Sequence, residues 1–163
     1  MKIAVFPGTF DPITLGHVDI IKRGLLIFDK IYVVIGINPN KKTILDLDFR
    51  LQLLRQLFIG QKNIKIDFYE GLTVDFCNKN NAKFILRGLR SFEDFEYEKR
   101  IAYVNSELEK GIESVFFCSG LKFGNVSSSL VREIIYWGGD FEKFVPLELI
   151  DSIKLYLKKG KEV

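Results

Sequence analysis

The amino-acid sequence predicts an α/β fold with one five-stranded parallel sheet and helices on both of its faces. Short apolar runs rich in Val, Ile and Phe alternate with amphipathic stretches along the whole chain, and no linker, repeat or low-complexity segment interrupts them. The 163 residues are 47% apolar, which suits one domain with a sizeable core. We therefore expect a single domain over residues 1–163, with the helices from about residue 128 onward packed on it.

Five segments have the length and composition of buried strands. They are residues 2–6, 31–37, 64–69, 83–86 and 114–118. Brief runs of β-branched and aromatic residues are typical of strands that are covered on both faces. Because strands that alternate with helices pair in parallel, the segments predict a Rossmann-like sheet.

Apolar residues at intervals of three or four predict the intervening helices. These residues are Val18, Ile21, Leu25 and Phe28 in the first helix, Leu51, Leu54 and Phe58 in the second, and Tyr97, Ile101, Val104 and Leu108 in the fourth. We expect the stripe of the fourth helix to be buried. Two further helices are predicted at about 128–137 and 146–158, the second beginning at Pro146, because proline favours the first helical turn.

Charge and cysteine content argue against several classes of protein. The net charge is only +3, and the C-terminal lysine run is typical of a solvated helix face rather than a nucleic-acid surface. That run contains Lys154, Lys158, Lys159 and Lys161. Cys77 and Cys118 lie far apart, which disfavours a disulfide framework or a thiolate zinc site. With no signal peptide or membrane span in the sequence, we expect a cytoplasmic protein that binds neither nucleic acid nor membrane.

Residues that core packing does not explain follow the carboxyl ends of the predicted strands. The first strand runs into residues 7–17, the second into 38–42, the fourth into 87–90 and the fifth into 119–129. In an open parallel sheet, ligands bind outside these ends, where the strand order reverses. We expect strands one and four to be neighbours there, so that the turn after strand one faces the segment after strand four.

The string Thr14-x-Gly16-His17 places the only histidine of the chain in the first turn of a predicted helix. A glycine at this point lets backbone or phosphate approach closely. The free N–H groups and the helix dipole should hold the imidazole neutral, with one ring N–H able to donate to a phosphate oxygen. The residues alone leave a capping or half-buried histidine open as the alternative.

Arg87 and Arg90 are candidates for binding a polyphosphate, because the planar guanidinium group binds phosphate oxygens in pairs. Their alternative role is to pair with acidic neighbours such as Glu93 and Asp94. Of the two lysines in the loop after the second strand, Lys41 is our candidate to meet a phosphate charge.

Glu98 lies at the edge of the apolar stripe of the fourth helix, so its carboxylate needs a polar partner. A salt bridge to Arg100 or Arg90 and a hydrogen bond to a ligand ribose or amine are both open. Three serines at 127–129 begin the next helix. A helix start with several hydroxyls is suited to an anion, although one of the serines is expected to cap the helix.

Together these motifs resemble those of a known family. The signature of the nucleotidyltransferase superfamily is similar to Pro7-Gly8-Thr9-Phe10-Asp11-Pro12 followed by Thr14-x-Gly16-His17. Within that superfamily, bacterial phosphopantetheine adenylyltransferases have segments that resemble Arg87-Gly88-Leu89-Arg90, Asp94-Phe95-Glu96-Tyr97-Glu98 and Val126-Ser127-Ser128-Ser129. The resemblance extends from Ile3 to the final helix.

The resemblance implies transfer of the adenylyl group of ATP to 4′-phosphopantetheine, giving dephospho-coenzyme A and pyrophosphate. It implies Mg²⁺ as the cofactor and a homohexamer as the usual homo-oligomer. Because no cluster of carboxylates in the sequence marks a metal site, we expect the ion to be held mainly by the ATP phosphates and water. The resemblance implies that the residues that stabilise the transition state are His17, Lys41 and Arg90. It implies ATP contacts from Thr9, Phe10, His17, Gly88, Leu89, Arg90, Glu98, Phe123, Gly124, Asn125, Val126, Ser127, Ser128 and Ser129. It implies acceptor contacts from Thr9, Lys41, Thr73 and Arg87.

The residues offer no covalent nucleophile, and an acceptor phosphate is already anionic at neutral pH. We therefore expect direct in-line attack on the α-phosphorus of ATP. The sequence leaves two alternatives open. One is a nucleotidyltransferase of the same superfamily with a different phosphate acceptor, and the other is a nucleotide-binding regulator without catalytic activity.

Overall fold

The computed structural model describes residues 1–159, and within them five strands form one parallel sheet. The strands are β1 (Ile3–Gly8), β2 (Lys30–Ile37), β3 (Ile64–Glu70), β4 (Phe84–Leu89) and β5 (Glu113–Cys118). Their order is β3-β2-β1-β4-β5, and all four neighbouring pairs are parallel. The predicted fold class is confirmed, and so is the position of β1 next to β4.

Six α-helices lie within the same residues. They are α1 (Leu15–Gly24), α2 (Leu47–Leu57), α3 (Thr73–Lys79), α4 (Phe92–Leu108), α5 (Ser128–Tyr136) and α6 (Ile150–Lys159). Side-chain oxygens of Asp46, Ser91 and Ser127 accept backbone N–H groups at the starts of α2, α4 and α5. Each cap satisfies a donor that the helix itself leaves unpaired, which explains why these helices begin where they do.

The end of the chain differs in one detail from the prediction. Pro146 is followed by a short 3-10 turn at Leu147–Leu149, and α6 begins only at Ile150. Leu149 and Ile153 are fully buried in the main core, so this segment packs on the sheet domain. Of the C-terminal lysines, Lys161 lies outside the residues described.

Two apolar clusters cover the two faces of the sheet, because side chains alternate along each strand. Ala4 and Phe6 of β1 point into the larger cluster, which includes residues of α1, α2, α5 and α6. Ile3 and Val5 point into the smaller one, which includes residues of α3. The predicted helix layers on both faces are therefore confirmed. Among the residues that the structure describes, no helix is long and apolar enough to span a membrane.

The apolar stripe predicted to be buried on α4 is largely exposed, so that prediction is wrong for the single chain. Tyr97 is 63% exposed and Val104 57% exposed, Leu108 is also exposed, and Ile101 is half-buried. The buried residue of this helix is Glu98. Helical spacing identifies an apolar face but does not say what covers it, and part of α4 borders a polar cavity instead of the core.

Candidate active site

A cavity of about 710 Å³ opens at the carboxyl ends of the strands, where β1 and β4 lie side by side. Its size is typical of small-molecule sites, and its place is where the strand order reverses. Thirteen predicted site residues line it: Thr9, Phe10, His17, Lys41, Thr73, Arg87, Gly88, Arg90, Glu98, Val126, Ser127, Ser128 and Ser129. The remaining four, Leu89, Phe123, Gly124 and Asn125, are not lining residues, and their role stays a prediction.

The turn after β1 is shaped by the ring of Phe10. This residue has a left-handed backbone conformation with a φ of 48°, and its side chain is buried. The ring lies against Gly8, where a Cβ would come within 2.7 Å of the ring carbon Cζ. Only glycine fits at that position, so the turn can fold back and place Phe10 beneath His17, with ring centroids 5.1 Å apart.

His17 lies in the first turn of α1, and the residue that caps this turn also fixes its ring. The ring Nδ1 accepts the backbone N–H of Thr14 at 3.1 Å and lies 2.9 Å from the Thr14 hydroxyl. With Nδ1 acting as an acceptor, the proton of the neutral ring is on Nε2. Removal from bulk water, then the charges of Arg90 and Arg87, lower the pKa of His17 to about 4. The direction of this shift agrees with a neutral imidazole, but its largest cause is burial and not the helix dipole invoked from the sequence.

Arg87 and Glu98 form a two-point ion pair at the end of β4. The Arg87 Nε donates to Glu98 Oε2 at 2.8 Å, and Nη2 donates to Oε1. A third guanidinium donor, Nη1, reaches the carbonyl oxygen of Pro7. The predicted partners of Glu98, Arg100 or Arg90, are therefore wrong, because α4 runs back past the end of β4 and brings Glu98 against Arg87.

Arg90 is held by Asp94, as the alternative interpretation of the sequence anticipated. Its Nε and Nη2 donate to the two carboxylate oxygens at 2.8 and 3.0 Å, and its backbone N–H donates at 3.0 Å. Partial burial acts to raise the pKa of Asp94, but the hydrogen bonds and charge of Arg90 outweigh it, and the pKa is lowered. Asp94 is therefore ionised at neutral pH and fixes the position of Arg90.

Lys41 and Thr73 enter the cavity from its other side. Lys41 is exposed in the loop between β2 and α2, where its backbone N–H donates to the carbonyl of Asn38 at 3.0 Å. Thr73 begins α3, and its hydroxyl lies 2.7 Å from that of Tyr69 at the end of β3. Burial raises the pKa of Tyr69, so this phenol is a neutral hydrogen-bonding group.

The three serines differ in what they bind. Ser127 caps α5 by accepting the N–H of Leu130 at 3.1 Å, as expected for one of them. The Ser128 hydroxyl donates to the carbonyl of Pro12 at 2.8 Å, which ties the start of α5 to the turn after β1. The start of this helix therefore faces the same cavity as His17.

Comparisons with known proteins agree with this geometry. Residues 5–134 match the family model described as cytidylyltransferase-like. The chain is 43% identical over 160 residues to the phosphopantetheine adenylyltransferase of Caldanaerobacter subterraneus subsp. tengcongensis, covering 98% of this chain and all of the relative. It is 47% identical over 146 residues to that of Christiangramia forsetii (90% and 96% covered) and 42% identical over 153 residues to that of Clostridium botulinum (94% and 96%). The chain belongs to the phosphopantetheine adenylyltransferase family.

The sequence analysis missed three charged residues at this cavity: Asp11 and Arg132, which line it, and Arg50, which contacts the turn after β1. Asp11 is fully buried, and Arg50 is buried with its Nη1 donating to the carbonyl of Thr9 at 2.8 Å. Arg132 Nη1 donates to the carbonyl of Asp11 at 3.0 Å. Arg132 comes one helical turn after Ser128, so the sequence places both side chains on the same face of α5. Spacing alone does not tell whether a charged side chain on that face is buried or solvated.

Proposed function

We propose that this chain transfers the adenylyl group of ATP to 4′-phosphopantetheine, giving dephospho-coenzyme A and pyrophosphate, a step of coenzyme A biosynthesis. The observation that carries the proposal is that the ring of His17 and the guanidinium groups of Arg87 and Arg90 line one cavity. Both proposed ligands are phosphate anions, and the cavity combines cations with neutral donors. The names of the relatives at 42–47% identity support the same reaction.

The arginines are able to bind phosphate without giving up their carboxylate partners. A guanidinium group has five N–H donors. The bonds of Arg87 to Glu98 and Pro7 use one donor on each of its three nitrogens, and those of Arg90 to Asp94 use one on each of two. The donors left over are held in fixed directions by these pairs. Such preorganised donors cost little rearrangement when charge develops on a reacting phosphate.

In the proposed reaction, an acceptor phosphate oxygen forms a bond to the α-phosphorus of ATP as the bond to the bridging oxygen breaks and pyrophosphate leaves. No general base is required, since the acceptor is already an anion. Holding the two reactants in line supplies on the order of 7–11 kcal/mol. His17 donates its Nε2–H to the reacting phosphate, and Lys41 and Arg90 stabilise the charge that develops there.

For ligand binding, we propose the contacts that the resemblance implies. ATP lies against residues 88–90, Glu98 and the segment 123–129 at the start of α5, where hydroxyls and the positive helix end suit an anion. The acceptor lies against Thr9, Lys41, Thr73 and Arg87, which line the same cavity. A Cβ at position 88 would lie 3.0 Å from Ile20 Cγ1, so a larger residue than Gly88 would require this side chain to shift.

We propose Mg²⁺ as the cofactor, carried mainly by the phosphates of ATP and water. Within residues 1–159, no group of three or more His, Cys, Asp or Glu side chains is placed to hold a metal ion. The carboxylates of Asp94 and Glu98 are already paired with arginines. These residues therefore fit a cation that arrives with its own ligands, and Mg²⁺ would neutralise part of the triphosphate charge.

We also propose that the chain forms a homo-oligomer, a hexamer by family resemblance, in the cytoplasm. The exposed apolar side chains of α4, among them Tyr97 and Val104, support a face that another copy covers. Both cysteines are free thiols, which fits a reducing compartment. Light scattering after size exclusion should give a multiple of the chain mass that falls for Val104→Glu and stays unchanged for Leu26→Glu, an exposed apolar residue after α1. A monomeric wild type would refute the oligomer.

The reaction is tested by incubating the protein with ATP, Mg²⁺ and 4′-phosphopantetheine and identifying dephospho-coenzyme A by mass. Glycerol phosphate, choline phosphate and nicotinate mononucleotide serve as alternative acceptors, and CTP as the alternative nucleotide. Turnover with one of these and none with 4′-phosphopantetheine would point to the other nucleotidyltransferases of the superfamily. Binding of ATP without turnover of any pair would point to a regulator.

A further inference from the structure

Asp11 is a fully buried residue in the wall of the cavity, and both oxygens of its carboxylate accept backbone N–H groups. One oxygen, Oδ2, accepts the N–H of Ile44 at 3.0 Å, and the other, Oδ1, accepts the N–H of Leu45 at 3.0 Å. These two residues end the loop that carries Lys41. At its other end, the loop is held by Asn38, whose carbonyl and side chain accept the N–H groups of Lys41 and Asn40.

Arg132 extends the same network to the start of α5. Its Nη1 donates to the Asp11 carbonyl at 3.0 Å and lies 3.7 Å from Asp11 Oδ2. Its Nη2 donates to the hydroxyl of Ser129 at 3.0 Å. The planar fork of one arginine therefore spans the turn after β1 and the serine segment, and it supplies the positive charge that a buried carboxylate needs.

We infer that Asp11 and Arg132 are positioning residues that hold the Lys41 loop and the serine segment in register with His17. Asp11 lies six residues before His17 on the turn that leads into α1. In the sequence, Asp11 is 33 residues from Ile44 in the lysine loop and 121 residues from Arg132 in α5, so the three segments are held together by tertiary contacts. Because a misplacement of about 1 Å costs about a hundredfold in rate, a rigid link between the three segments has a direct catalytic consequence.

This inference rests on the proposed function for its kinetic test, in which Asp11→Asn is combined with Lys41→Ala. Asparagine keeps the size of the side chain but replaces one acceptor oxygen with an NH₂ donor, so one of the two N–H bonds is lost. Loss of a hydrogen bond to a buried charge predicts a kcat lower by roughly ten- to a hundredfold. If Asp11 acts through Lys41, the same change should lower kcat by less than about threefold in the Lys41→Ala background.

Asp46→Asn is the matched control. Asp46 is one residue beyond the loop and also accepts a backbone N–H, that of Phe49 at 2.7 Å, but it caps α2 and binds the hydroxyl of Tyr156. We expect this variant to lose thermal stability while its kcat stays within about twofold of the wild type, since it holds the helix and not the loop. A kcat effect equal to that of Asp11→Asn would overturn the inference.

Amide hydrogen exchange on the ligand-free protein gives a test that needs no activity. In Asp11→Asn, residues 41–45 should exchange at least about tenfold faster while the β1 and β2 amides keep their rates, because local and global opening are separable in exchange. If wild-type turnover is absent, the proposed function fails and exchange still decides the inference. Unchanged exchange at 41–45, or equal kcat losses in both backgrounds, would overturn it. Full activity of Lys41→Ala would refute the proposed role of Lys41 instead, and exchange at 41–45 would still decide the inference.

Arg132→Lys serves if Asp11→Asn does not fold. Lysine keeps the positive charge but lacks the planar guanidinium fork. Because the side chain of Arg132 is partly exposed, we expect this variant to fold. Faster exchange at residues 127–132 with a KM for ATP raised at least about fivefold would support the inference. Wild-type exchange and KM in this variant would overturn it.

Discussion

His17→Ala removes the ring donor that we propose acts on the reacting phosphate, and that lines the cavity. In the wild type, Thr14 holds Nδ1 and the low pKa keeps the ring neutral, so Nε2–H is a fixed donor. Loss of one preorganised donor to a developing charge costs about 10²- to 10³-fold in kcat, or about 2.7–4 kcal/mol. The Kd for ATP should change little, because the donor acts mainly in the transition state.

Steady-state pyrophosphate release gives kcat, and calorimetric titration gives the Kd for ATP. Thr14→Val is the matched control: it removes the hydroxyl beside Nδ1 but leaves the backbone N–H of the same residue as a donor. Its kcat should fall by less than about tenfold, in line with the loss of one neutral hydrogen bond. If His17→Ala turned over within a few-fold of wild type, the role assigned to this ring would be refuted.

Three further predictions follow from the charges of the site. Arg90→Gln should raise the pKa of His17 from about 4, because it removes a nearby positive charge. The chain has a single histidine, so an NMR titration assigns this pKa unambiguously. An unchanged pKa would contradict the electrostatic account. Histidine in the unfolded chain has a pKa of 6.5, so the unfolded state binds a proton before the folded state does as the pH falls. The contribution of His17 to stability is therefore complete above pH 6.5 and should decline between pH 6.5 and pH 4. Denaturant titrations over this pH range should show that the free energy of unfolding depends less steeply on pH in His17→Gln than in the wild type. Arg87→Ala should raise the KM of the acceptor and lower the free energy of unfolding by about 3–5 kcal/mol, because Glu98 is left buried without its partner. The double variant Arg87→Ala with Glu98→Gln should recover part of that stability. An unchanged KM in Arg87→Ala would mean that Arg87 has only a structural role.

Most of the fold was predictable because the strands and most of the helices are indicated by local patterns of residue composition and apolar spacing. Runs such as residues 31–37 have the composition of buried strands, and their alternation with helices dictates a parallel sheet. The position of the site followed from the same logic, since the carboxyl ends of β1 and β4 meet where the strand order reverses. Together with the family resemblance, the motifs at those ends named thirteen of the residues that line the cavity.

The pairings within the site were not predictable in the same way. The sequence left Glu98 open between a salt bridge to Arg100 or Arg90 and a hydrogen bond to a ligand, yet its partner is Arg87 on β4, eleven positions away. The stripe around Val104 has a regular apolar period but lies exposed on the single chain. Periodicity reports which side chains share a face of a helix, and the surroundings of that face depend on how the helix is docked.

The sequence by itself determined the α/β class, the strand segments and the candidate motifs for phosphate binding, because short-range periodicity and residue chemistry decide these. The tertiary structure alone decided which charges pair: Arg87 with Glu98, and Asp11 with the backbone of a loop 33 residues away. The physical reason is that a buried charge is stabilised by whatever dipoles and ions the fold brings within hydrogen-bonding distance, and that set is fixed only once distant segments pack together.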